Sequence, residues 1–134
     1  MITQISLSSK IFDALHKAKE IEDKEFEDAQ KWITDIIENP DRPKLDYCEI
    51  CGHSDMKLEL HHVKGRKYGN EVITVCVECH KALTDNQRLW DYNNPDSFLD
   101  RGLIDICELK HSKTGIEIYK RLAEIRKSSF KVVR

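Results

Sequence analysis

Glycine and proline are scarce in this 134-residue chain, at five and three positions. That excludes collagen-like repeats and the composition of a flexible linker. No stretch of 18 apolar residues occurs, so no segment reads as a transmembrane helix. The opening MITQISLSSKIFDALHKAKE lacks an apolar run followed by a small-residue cleavage site, so no secretory signal is expected. Strong net charge is missing too, since 22 basic against 24 acidic residues leave −2. A bulk positive excess would suggest a polyanion partner, but where charges lie decides more than their sum. What remains, at 40% hydrophobic and 34% charged, is the make-up of a folded soluble protein. The length fits a single domain over 1–134, expected in the reducing cytoplasm with no membrane partner.

The charges are unevenly placed. Residues 1–40 carry 5 basic and 9 acidic groups, whereas residues 110–134 carry 8 and 2. The acidic front reads as helical over 8–39, with Ser8 or Ser9 as cap. Ile11, Leu15, Ala18, Phe26, Ala29, Ile33, Ile36 and Ile37 recur mostly at helical spacing, as one helix or two. Pro40 and Pro43 end it. It is expected to act as a scaffold, with a homodimer or protein-partner contact as the alternative. A basic helical region is expected over 97–134. There Leu99, Leu103 and Ile106 form one stripe, and a further helix is capped by Thr114, with Glu117 three residues on.

Between these flanks, YCEICGHSDM reads as a tight turn and Leu58–Val63 as a strand. Gly65–Asn70 is a loop, Glu71–Cys76 a β-branched strand, and ECHKALTDNQ a helix whose first turn carries Cys79 and His80. The expected fold class is α+β.

Four of the five cysteines form two CxxC pairs, Cys48/Cys51 and Cys76/Cys79. One pair alone could be redox-active. Two pairs flanking a strand–loop–strand segment suit a tetrahedral four-thiolate Zn²⁺ site, because a two-residue gap lets both sulfurs of each pair reach one ion. Such an ion would clamp the open ends of a ribbon too small to be stable alone. Cys107, in the apolar LIDICEL, reads as a buried core residue. His61 and His62 are adjacent in the first strand, so their side chains point to opposite faces. If the clamp lays the helix alongside, His61 and His80 approach each other and His62 stays free to act on a proton. Taken singly, each histidine is as well explained by a structural role.

In that order, CEIC…LELHHVKGR…EVITVCVECH resembles the HNH endonuclease family in its zinc-stapled form. The resemblance covers residues 48–85 and implies a small ββα-metal finger over 47–86, flanked by N- and C-terminal helices. It implies that His62 is the general base, that His61 and His80 ligate a catalytic divalent metal, and that Cys48, Cys51, Cys76 and Cys79 hold structural zinc. Where the family usually has a central asparagine, nine residues before the final histidine, stands Glu71, with Asn70 beside it. These two are candidates for the residue that orients the loop.

The implied activity is metal-dependent hydrolysis of DNA phosphodiesters, leaving 5′-phosphate and 3′-hydroxyl ends. Imidazole ligands admit Mn²⁺, Ni²⁺, Co²⁺ or Zn²⁺ alongside Mg²⁺. Lys57, Lys64, Arg66 and Lys67 lie on or beside the loop and Tyr68 adds a ring. They are candidates to hold DNA phosphates with little sequence preference, and Lys110 to Arg134 would extend the track. The alternatives are a zinc-stabilised nucleic-acid-binding module without turnover and a protein-interaction domain.

Overall fold

In a computed structural model the described residues are 23–132, with side chains described through 128. Ser8, Ser9, Ile11, Leu15 and Ala18 lie outside them. Among the described residues the fold is mixed, with four helices and one two-stranded antiparallel sheet.

The first helix, α1, covers 23–38. Ala29, Ile33 and Ile36 recur at four- and three-residue steps and are buried, while Glu25, Glu27, Asp28 and Lys31 stay exposed. Asn39 closes it, its backbone N–H donating to the Asp35 carbonyl just before Pro40. The chain then runs through Arg42 to the first cysteine pair. This segment docks along one edge of the second strand, β2 (Val72–Cys76).

Glu49, between Cys48 and Cys51, makes that docking specific. Its N–H donates to the Thr74 carbonyl at 2.8 Å, and its carboxylate accepts the Thr74 N–H at 2.6 Å. The Trp32 indole and the Arg42 guanidinium donate to the same carboxylate, and Arg42 also donates to the Val72 carbonyl. The free edge of β2 is thereby satisfied by side chains and loop backbone instead of a third strand. Breaking a buried ion pair of this kind by removing one partner typically costs about 3–5 kcal/mol.

The first strand, β1 (Leu58–His62), pairs antiparallel with β2, Leu58 opposite Cys76 and His62 opposite Val72. The second helix, α2 (Val77–Gln87), follows β2 without a linker. All five β2 residues are buried, because helices and the 42–49 segment cover what a lone ribbon would expose. A short 3₁₀ turn, Pro95–Ser97, leads into α3 (Phe98–Thr114), which α4 (Glu117–Val132) packs against. Gly102 of α3 sits directly on the backbone of Val63, where a Cβ would collide with the Val63 carbonyl. Cys107 is buried in the core, and burial pushes its thiol up to about 11.

At the α3–α4 junction the Thr114 hydroxyl accepts the Ile116 N–H at 3.2 Å, as a capping residue should, but α4 starts later than expected. Thr114 is the last residue of α3, and Gly115 beyond it takes a left-handed φ of 71°, its N–H donating to His111. That glycine-terminated end is the stronger local signal, so the helix breaks there and α4 starts at Glu117. The strands are each one residue shorter than the sequence suggests, ending at His62 and beginning at Val72.

Candidate metal centre and histidine cluster

The antiparallel register brings the start of β1 next to the end of β2, and the 48–51 turn lies against that end. Cys48, Cys51, Cys76 and Cys79 consequently present sulfurs that all lie within 4.8 Å of one another. Tetrahedral coordination with Zn–S bonds near 2.3 Å requires S···S separations of about 3.8 Å. The Cys51–Cys76 pair already stands at 3.8 Å. Four soft thiol donors at this spacing fit a structural metal ion.

Their electrostatics point the same way. Burial raises the Cys48 thiol, but backbone N–H groups of Cys51, Cys76 and Ile50 outweigh it and hold it down at about 7. Cys79 is pushed far up, first by burial and then by the neighbouring sulfurs. Four thiolates so close together are therefore unfavourable without a cation between them. His53 adds an outer contact, its Nδ1 lying 3.1 Å from the Cys51 sulfur.

Residues two apart in β1 share a face, so Glu59 and His61 both look toward α2. His80 and Gln87, seven residues apart, share a face of α2. These four side chains form one cluster. The His61 and His80 rings meet edge to face, centroids 5.4 Å apart, and the Glu59 carboxylate lies 3.1 Å from His80 Nδ1. The Gln87 side-chain amide donates to the His62 carbonyl at 2.8 Å and lies 3.4 Å from His61 Nε2. His61 is 2% exposed, enclosed beside His80. Burial, then repulsion from His80 and His62, lowers its pKa to about 3. His62, on the opposite face of β1, is half-buried, and burial followed by the charge on Arg66 lowers its pKa. Both imidazoles are therefore neutral near pH 7, with lone pairs available.

The loop between the strands is closed by Glu71, whose carbonyl accepts the Val63 N–H at 2.9 Å. The Glu71 carboxylate folds back against Gly69 and pairs with Lys64 at 3.3 Å, leaving its Oε1 buried without a hydrogen-bond partner. Asn70 is exposed. Of the basic candidates, Lys57, Arg66 and Lys67 are exposed, whereas Lys64 is engaged by Glu71. Tyr68 is 42% exposed and sets its ring edge-on against Phe98.

Three basic residues of the C-terminal track are used within the fold. Lys110 lies over the rings of Trp32 and Tyr119 and donates to the Glu49 carbonyl. Arg126 pairs with Asp100, and Lys127 with Glu108. The expected charge extension is therefore reduced at these three positions. A groove of about 540 Å³ lies away from the histidines, lined by Trp90, Ile104, Asp105 and Leu109 among others. Glu59 and Gln87 carry no motif of their own, and only period-2 and two-turn spacing sets each beside a named histidine.

No family model matches the chain, and no solved structure matches it. Over 48 aligned residues it is 40% identical to the uncharacterized protein YisB of Bacillus subtilis (strain 168), a match covering 31% of this chain and 48% of YisB. The chain thus spans about half the length of the curated relative it matches. Among the described residues, no helix is long and apolar enough to cross a membrane.

Proposed function

We propose that the chain is a metal-dependent endonuclease of the HNH type, with β1, β2 and α2 forming a zinc-stapled ββα-metal finger. The observation that carries this reading is the His61–His80 contact, centroids 5.4 Å apart, with His62 next in the strand and Glu59 at His80 Nδ1. A carboxylate on one ring nitrogen fixes the tautomer and leaves the other nitrogen as a ligand. His61 and His80 are the two side chains that would hold a divalent ion. When bound, such an ion would supply positive charge against the negative charge that develops in phosphodiester hydrolysis.

The remaining chemistry belongs to the chain. Neutral His62 accepts a proton from water, the water oxygen bonds to phosphorus as the bond to the 3′ oxygen breaks, and that oxygen takes a proton from solvent. The products are a 5′-phosphate and a 3′-hydroxyl. Gln87, through the His62 carbonyl, holds the strand end that carries this base. Arg66 and Lys67, exposed in the loop that follows β1, are the side chains that would hold the substrate phosphates.

A second reading, a nucleic-acid-binding module without turnover, is favoured by two features. His61 is almost fully enclosed, and a carboxylate, Glu71, stands where the family has an amide. Incubating the zinc-loaded protein with plasmid, single-stranded and branched DNA, in turn with Mg²⁺, Mn²⁺, Ni²⁺ and Co²⁺, separates the readings. Cleavage supports the enzyme, and binding without cleavage supports the module.

A further inference from the structure

Beside the histidine cluster lies an aromatic group built from three separate segments. Phe98, fully buried at the start of α3, supports it from below and packs against Trp90 with centroids 5.0 Å apart. Two tyrosines stand on Phe98, Tyr68 from the β1–β2 loop at 4.7 Å and Tyr92 from the turn after α2 at 5.3 Å, both edge-on. Their own centroids are 6.2 Å apart, and they are 42% and 51% exposed. Tyr92 donates its hydroxyl to the Gln87 carbonyl, and Gln87 donates its amide to the His62 carbonyl. A single residue thus ties the tyrosine shelf to the strand end carrying His62.

Large aromatic surface left half-exposed on a rigid base is suited to stacking, since every nucleobase has a π-face and stacking needs no hydrogen-bond match. The neighbouring charge fits a nucleic-acid strand. Arg66 and Lys67, in the same loop as Tyr68, are exposed and have no ion pair within the described residues, and Arg66 is close enough to His62 to depress its proton affinity. Bases paired inside a duplex present only their edges, so a shelf of this kind engages a base only where pairing is broken.

We propose that Tyr68 and Tyr92 form a stacking platform for an unpaired base next to the cleaved phosphate, so that the preferred substrate is single-stranded or locally unpaired nucleic acid. This rests on the nuclease reading for the cleaved phosphate, but the strand preference is a binding property and is measured without turnover.

The test uses the zinc-loaded full chain carrying His62→Ala, so that the strand survives. Fluorescence anisotropy follows its binding to a labelled single strand, to the same sequence as perfect duplex, and to that duplex with one bulged base. Single-stranded and bulged DNA should bind several-fold more tightly than duplex. Adding Tyr92→Leu or Tyr68→Leu, which keeps apolar bulk over Phe98 but removes the ring, should weaken single-strand binding about tenfold. Duplex binding should change less than twofold, and Tyr92→Phe should behave like the parent. Equal affinity for single strand and duplex overturns the proposal, as do leucine variants that weaken both substrates alike or neither. Absence of binding to all three also overturns it. Cleavage of single-stranded, bulged and plasmid DNA by the chain with His62 intact, scored separately, then shows whether the nuclease reading fails with it.

Discussion

The Glu59 carboxylate lies 3.1 Å from Nδ1 of His80 across the gap between β1 and α2, tying the two elements that carry the candidate ligands. Glu59→Gln keeps the shape but removes the charge. Loss of an outer carboxylate of this kind typically costs ten- to a hundredfold in metal affinity or activity, about 10–100-fold here. Titration of Mn²⁺ against cleavage rate should show that weakening, with the zinc content of the four-cysteine site unchanged. An unaltered metal dependence would separate Glu59 from the site.

Metal removal should act first on the ribbon. Zinc in four-cysteine sites of small modules contributes about 10 kcal/mol or more of apparent binding free energy. Treating the protein with a strong chelator, or making Cys79→Ser, should therefore abolish hydrogen-exchange protection at the paired amides of β1 and β2. The α3–α4 pair also buries Leu103, Ile106, Ile118 and Leu122, none of them a candidate metal ligand, and its amides should exchange later. Simultaneous loss of all protection would instead show that the whole fold depends on the metal.

Gly102 sets two effects against each other. Helix propensity alone favours Gly102→Ala by about 1 kcal/mol. The added Cβ, however, meets the Val63 carbonyl, a backbone atom that cannot rotate aside. Overpacking of this kind costs about 1–3 kcal/mol. Urea unfolding should show a lower midpoint for the variant, whereas a raised midpoint would mean that α3 and the end of β1 separate easily.

Asp105 gives a pH dependence with a definite sign. Burial, offset by the hydrogen bond from the Trp90 indole, raises its pKa from 3.8 to about 6. Between those values the folded state holds a proton that the unfolded chain has released. Stability therefore falls as pH rises through that window, and the full cost is present above about 6. Asp105→Asn retains a carbonyl acceptor for Trp90 and removes the charge. It should stabilise the protein by about 1–3 kcal/mol at pH 7 and leave it nearly unchanged at the acid end of the window. Melting temperatures across that range test both halves.

Much of the central unit was legible because its signals are local. The β-branched run Val72–Cys76 and the paired cysteines locate β2 and the four-cysteine cluster within a residue. The strand alternation also separates His61 from His62 correctly, one facing α2 and the other away. What stayed hidden depends on distant segments. No periodicity shows that Lys110 covers Trp32 and Tyr119, so the basic tail reads from the sequence as an extension of the DNA track. Nothing local in the sequence marks Glu49 and Arg42 as partners, although together they complete the edge of β2. At Thr114 two local signals coincide, for the left-handed Gly115 ends α3 while the Thr114 hydroxyl accepts the Ile116 N–H ahead of α4.

The central claim is that His62 is a general base in a nuclease, and the most direct measurement is cleavage of plasmid DNA by the intact chain and by His62→Ala, both loaded with equal zinc. The account predicts nicked or linear DNA with 5′-phosphate ends from the intact chain in Mn²⁺ or Mg²⁺. The variant should lose cleavage by about a hundredfold or more while keeping its zinc and its melting temperature. Cleavage that survives His62→Ala undiminished, or an intact chain that cuts no DNA with any of these metals, would contradict it.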